Sequence, residues 1–262
     1  MMFSLRQEAL AALRLQDPAE KACAVEQLSA LWPVEPDRIF SVPVDIPGRP
    51  SSPALVHPSQ VKARSVGTSQ GHAALIHSLA HIEFNAINLA LDIIWRFASM
   101  PVAFYHDWLR VAHEEALHFG LLANHLQALG YRYGDFPAHD GLWEMAERTC
   151  EDILARLALV PRTLEARGLD ASPLVRDKLI SIGDRPGALI IERILADEIG
   201  HVAIGNRWYR YVCEQRSIDP ELIYPELVLR YRAPVLKGPF NRAARLQAGF
   251  TEAELSALTL PS

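Results

Sequence analysis

Glu115 and Glu198 each sit on an apolar stripe of a helical pattern, and each is followed three residues later by a histidine, His118 and His201. The two stretches, EEALHF from Glu114 and DEIGHV from Asp197, share one order: acid, glutamate, two spacers, histidine, apolar residue. The two glutamates stand 83 residues apart, and so do the two histidines. Glu83 precedes Glu165 by 82. Residues three, four and seven apart share a helix face, so a carboxylate with apolar neighbours at those spacings is carried into the core. Few folds tolerate that four times over.

The neighbours bear this out along the chain. Glu83 shares its face with Ile76, Leu79, Ile87 and Ala90; Glu115 with Trp108, Val111, Phe119 and Leu122; Glu198 with Ile191, Ile194, Val202 and Gly205. Glu165 has Ala158 and Pro161 on its face but also Arg162. Its rival is Glu151, whose upstream neighbours Glu144, Glu147 and Arg148 describe a solvated face, so Glu165 is preferred and the choice stays open. The pattern reads as two copies of a helix pair, each copy carrying one Glu and one Glu-x-x-His.

Four long helical segments hold these residues. The first runs from Ser69 to Ala98, and the second from Ser99 and Pro101 to Gly130. The third runs from Asp140 to Gly168, with a shorter helix from Ser172 to Ile182, and the fourth from Asp184 and Pro186 to Glu214. Strand-like alternation is scarce, which predicts an all-α bundle. Ahead of it, residues 1–31 carry a helical pattern broken at Asp17 and Pro18. Seven prolines in the 26 residues Pro33–Pro58 predict an extended arm. The division expected is 1–68 for N-terminal helices and a Pro-rich arm packing on the bundle, 69–215 for the bundle, and 216–262 for a C-terminal tail. The tail is expected to hold one or two helices, a loop at LKGPFN and a capping box at Thr251 and Glu254.

Burying four carboxylates uncompensated costs several kcal/mol each. Two divalent cations would neutralise them, and two imidazoles complete a nitrogen–oxygen donor set suited to iron or manganese. A Glu from each of two helices and Glu-x-x-His from each of the other two is the ligand pattern of dinuclear carboxylate bundles. The candidate ligands are therefore Glu83, Glu115, His118, Glu165, Glu198 and His201. Asp197 and Glu114, each just ahead of a candidate ligand, are placed to accept the other ring N–H of a ligating histidine. The competing reading is a bundle with polar core networks and no metal.

Residues 69–215 resemble a ferritin-like di-iron carboxylate bundle. More narrowly, RLALVPRTLEARGLD, ADEIGHVAIGNRWY and KGPFNRAARLQAGF resemble the uncharacterised bacterial family called domain of unknown function 455. The ferritin-like resemblance implies two iron ions (or manganese) bridged by Glu115 and Glu198. It implies Glu83 with His118, and Glu165 with His201, as terminal ligands. It also implies an oxygen-activating oxidoreductase or hydroxylase whose substrate, a small molecule or a modified RNA, is not specified, with an external electron donor. A ferroxidase or iron-handling role is the alternative, disfavoured by the long flanking segments, and a helical interaction module with structural metal or none is the third.

Other features narrow the classes. A net charge of -5 argues against a general nucleic-acid binder. No 18-residue apolar run predicts a membrane span. Cys23, Cys150 and Cys213 form neither a metal-type cluster nor an even disulfide set, and a cytoplasmic monomer or small homo-oligomer is expected. His81 lies ~160° from Glu83 on an ideal helix, so His77 and His81 are expected at a surface or interface. Tyr105, Trp208 and Tyr209 are expected to be core packing. Arg230, Arg232, Lys237, Arg242 and Arg245 form an acid-free basic stretch. It is expected to pack on acidic faces of the bundle, with an RNA surface as the alternative.

Overall fold

A computed structural model describes residues 4–62 and 64–258. Residues 1–3, Ala63 and 259–262, counted above with the N-terminal helices, the arm and the tail, lie outside the described residues. The chain is all-α: among the described residues no strand forms, and one isolated bridge joins Leu55 to Ala138. No helix of the described residues is long and apolar enough to cross a membrane. Two compact units divide at Trp143 and Glu144, between the two copies of the helix pair.

The first unit is built on α3 (Ser69–Arg96) and α4 (Val102–Ala128). Thr68 starts α3, its hydroxyl accepting from the Gly71 N–H. Beyond Ile82, α3 is buried almost all round, while α4 buries the stripe Trp108, Val111, Glu115, Phe119 and Leu122. The two helices pack along their length, α1 (Leu5–Arg14) against α3 and α2 (Pro18–Gln27) against α4. The break read at Asp17 and Pro18 is real: Asp17 caps α2, accepting from the N–H groups of Ala19 and Glu20.

The Pro-rich arm is extended, and two buried cations tie it down. Arg6, fully buried, donates to the carbonyls of Ile94 and Trp95 at the end of α3 and to those of Glu35, Pro36 and Arg38 on the arm. Lys21 donates to Leu13 and Gly48 carbonyls and to Asn88 Oδ1. The arm passes so close to α1 that a Cβ at Gly48 would stand 2.1 Å from the Arg14 carbonyl oxygen, a place only glycine fits. Further on, Val56 N–H donates to the Ala138 carbonyl and Ala138 N–H to that of Ala54.

In the second unit the expected third helix is broken differently. The chain forms α5 (Gly141–Arg148, which spans the boundary of the units), α6 (Ile153–Leu159), a wide π-helical turn over Val160–Glu165, and α7 (Ala166–Ser181). Gly168 does not stop the helix and Ser172–Pro173 does not restart it. Pro173 lies inside α7, and the Leu169 carbonyl four residues back, which Pro173 cannot serve, accepts from the Asn241 side-chain amide at 3.1 Å. The helix runs through a proline because the tail supplies the missing donor.

α8 (Arg185–Gln215) packs along α6, the π turn and α7, its first turn capped by Asp184. Among the described residues the tail holds three helices rather than one or two, α9 (Pro220–Arg230), α10 (Arg242–Gln247) and α11 (Glu252–Ala257), and the Thr251–Glu254 capping box forms. Ala244, Ala248, Phe250 and Leu255 close a core with Ala166, Leu169 and Val202. Of the five basic residues, Arg245 is buried and paired with Asp170 at 2.7 Å, Arg242 pairs with Glu252, and the other three are exposed.

Candidate metal centre

In the first unit α3 and α4 bring Glu83, Glu115 and His118 together. One ligand atom of each lies within 4.8 Å of the others. All three are buried, with exposures of 6%, 1% and 0%. His118 Nδ1 lies 3.4 Å from Glu83 Oε2 and 3.5 Å from Glu115 Oε2. The geometry follows from local sequence. Glu115 and His118 are one helical turn apart and turn to the same side, and Glu83 arrives from the neighbouring helix on the face it shares with Ile76 and Ile87.

The electrostatics of this group are those of a site short of positive charge. Burial pushes the Glu83 carboxyl well above the usual range, and the Glu115 carboxylate adds to the shift. Burial alone would lower His118, but hydrogen bonding and attraction to Glu115 and Glu83 outweigh it and push the imidazolium up to about 10. In place of those protons a divalent cation satisfies the same oxygens and the same nitrogen. The donor set, two carboxylates and one imidazole, suits iron, manganese or zinc. The residues present fit a metal ion.

In the second unit α8 repeats the Glu-x-x-His half of the arrangement. His201 Nδ1 lies 3.2 Å from Glu198 Oε2, with His201 fully buried and Glu198 nearly so. Both Glu-x-x-His pairs thus turn the same ring nitrogen toward the same carboxylate. Glu165 is half-buried and ends the π turn. Gly168, three residues on, faces Glu198, since a Cβ there would lie 3.7 Å from Glu198 Oε1. The rival Glu151 is exposed and accepts from Cys150 Sγ.

The two acids ahead of the candidate ligands each form an ion pair on their own helix. Arg110 Nε donates to Glu114 Oε1 at 3.0 Å, and Arg193 Nε to Asp197 Oδ2 at 2.5 Å. The helix-face pattern of the glutamates does not point to these arginines, although Arg110 and Arg193 stand 83 residues apart, the offset of the glutamates and histidines. The repeated pattern is therefore Arg-x-x-x-acid-Glu-x-x-His.

His77 and His81 are not at a surface. Both are buried, and burial lowers each to about 4. His77 Nε2 accepts from the Gly134 N–H, and His81 Nδ1 lies 2.8 Å from the Tyr133 hydroxyl. They anchor the loop after α4, a role that helix periodicity of α3 alone does not reveal. Tyr105, Trp208 and Tyr209 are buried; Tyr105 donates to the Phe97 carbonyl and Tyr209 to that of Pro220.

Fold and site together define an all-helical protein with buried glutamate–histidine groups able to hold a metal ion. Comparison with known proteins places it further. The chain belongs to the family described as "Protein of unknown function (DUF455)", which matches residues 14–256. An "Uncharacterized protein" of Haemophilus influenzae (strain ATCC 51907 / DSM 11121 / KW20 / Rd) is 46% identical over 263 residues, covering 95% of this chain and 91% of its own length. No solved structure matches.

Proposed function

We infer that this chain is a two-metal carboxylate protein of ferritin-like architecture and an oxygen-dependent oxidoreductase. One ion is assigned to Glu83, Glu115 and His118 and the other to Glu165, Glu198 and His201. The observation that carries the reading is the first group: two carboxylates and an imidazole, buried, with ligand atoms within 4.8 Å of one another. The repeat of Glu-x-x-His geometry on α8 supports the second ion. Iron is the first assignment and manganese the alternative, because both accept this donor set.

Two ferrous ions held by these residues would supply the two electrons of an oxygen-reducing step. The protein's own part is to hold its carboxylates and imidazoles deprotonated toward the ions and to keep water from them. Ile76, Ile87, Trp108 and Phe119, which share helix faces with the first group, are buried, as are Ile191, Ile194 and Val202 on the face of Glu198. A dry wall strengthens each ligand–ion attraction. Arg110 and Arg193 hold Glu114 and Asp197, which stand next to the ligands as acceptors for imidazole N–H groups.

Metal content per chain tests this, on protein purified without chelators and beside a Glu115→Ala, Glu198→Ala double variant. About two iron or manganese ions per parent chain and few in the variant are expected. Fewer than one per parent chain, or equal content in both proteins, overturns the assignment. Oxygen uptake sustained by an added electron donor, beyond what the bound ferrous ions themselves consume, then separates an oxidoreductase from a chain that oxidises and stores its metal.

A further inference from the structure

We propose that the C-terminal tail is a positioning device for the second metal group: Glu254, acting through Arg162, holds the π turn that presents Glu165 beside Glu198. This rests on the two-metal reading above and adds residues to it that touch neither metal nor substrate.

The starting point is that the turn over Val160–Glu165 is wider than an α-helical turn. Such turns form poorer hydrogen bonds and persist where their surroundings dictate them. Here the surroundings are specific. Thr163 Oγ1 donates to the Ala158 carbonyl at 2.7 Å and meets the Tyr224 hydroxyl of α9 at 2.8 Å. Pro161 seats directly on α8 at Gly205, one turn beyond His201. A Cβ at Gly205 would stand 2.7 Å from the Pro161 Cβ.

Arg162 then fastens the turn to the tail. Its side chain is 3% exposed. One Nη donates to Asn206 Oδ1 at 2.8 Å and the other to Glu254 Oε1 at 2.6 Å, and the guanidinium lies over the rings of Tyr209, Tyr224 and Phe250. Glu254 is itself held: its Oε2 accepts from the Thr251 N–H at 2.8 Å and from Arg210 at 3.3 Å. A buried ion pair is a weak way to add stability, since an apolar pair of the same volume does as well or better. A planar, two-pronged cation held at both ends fixes a geometry, which an apolar contact does not.

The geometry it fixes is rotational. One extra residue in a turn rotates everything after it by about 100°. Regular winding from α6 would bring Leu164 and Arg167 to the places where Glu165 and Gly168 stand. With the wide turn in place, Gly168 faces Glu198, and Glu165, at the end of that turn, stands three residues ahead of it. The arginine that interrupts the apolar face of Glu165 in the sequence is thus the clamp that puts Glu165 into position.

Cobalt(II), a visible-absorbing stand-in for ferrous iron, is titrated into the metal-free full-length chain. The proteins are the parent, Glu254→Ala, Arg162→Lys and Thr251→Ala, each also in a His118→Ala background where the remaining cobalt reports the second group. Thr251→Ala removes the helix cap of α11 but leaves Arg162 and Glu254 paired, so it measures mere loosening of the tail. Expected are two cobalt ions in the parent and second-group affinity about tenfold weaker in Glu254→Ala with the first group unchanged. Arg162→Lys, which keeps the charge but not the fork, is expected to weaken it likewise, and Thr251→Ala to match the parent. Equal weakening at both groups, or Thr251→Ala as weak as Glu254→Ala, overturns the positioning role. A parent that binds fewer than two cobalt ions overturns the metal reading itself.

Discussion

At Glu83, Glu115 and His118 the protons and a metal compete for the same atoms. Burial raises Glu83, and Glu115 and Glu83 together hold His118 up to about 10, so His118 carries a proton at neutral pH in the metal-free chain. A metal requires these groups deprotonated. Metal binding should therefore release protons, and affinity should rise with pH from the acid range to about 10, where His118 loses its proton unaided. Calorimetry in buffers of different ionisation enthalpy reads the proton count directly. A pH-independent affinity with no proton release would mean that these groups are not the ligands. The same three residues show what sequence makes legible at this scale. A Glu-x-x-His pair on one helix is visible as spacing, whereas the pairing of His77 with Gly134 and of His81 with Tyr133 depends on where a loop returns.

At the scale of elements, caps and clamps differ in weight. The Thr68 cap of α3 makes one hydrogen bond to a helix end, and Thr68→Ala should cost about 1 kcal/mol in urea unfolding. Arg6 serves five carbonyls from a fully buried position, joining the end of α3 to the arm. Arg6→Ala strands those acceptors and should cost roughly 3 kcal/mol or more. Equal losses in the two variants would show that the arm finds water as readily as it finds Arg6. Start signals at Asp17 and Asp184 are readable because a cap acts within one turn of its own sequence. The continuity of α7 was not readable. Gly168 and Pro173 are breakers locally, and Asn241, 72 residues from Leu169, supplies the bond that lets the helix pass.

On the scale of the whole chain, the tail completes the core of the second unit. Ala244, Ala248, Phe250 and Leu255 lie against Ala166, Leu169 and Val202, and Arg245 ties Asp170 and the Ala166 carbonyl. Ending the chain after Ile218 should speed amide hydrogen exchange in α6, α7 and α8 while α3 and α4, with their own core, keep parental protection. Uniform loss of protection would show that the tail supports both units. The basic stretch read from composition thus divides: Arg242 and Arg245 make ion pairs within the second unit, while Arg230, Arg232 and Lys237 face solvent.

Residue spacing alone settles the all-α class, the long helices α3, α4 and α8 and the burial of Glu83, Glu115, His118, Glu198 and His201. Each of these follows from spacing within a few turns of one helix, where 3.6-residue periodicity converts directly into a face. Long-range packing is what brings Glu83 to Glu115 and His118, breaks the third helix before Ile153, widens it at Pro161 and carries α7 through Pro173. Those outcomes depend on partners far away in the chain, such as Glu254, Asn241 and Gly205. A local pattern holds no record of a hydrogen bond or a close approach made across that distance.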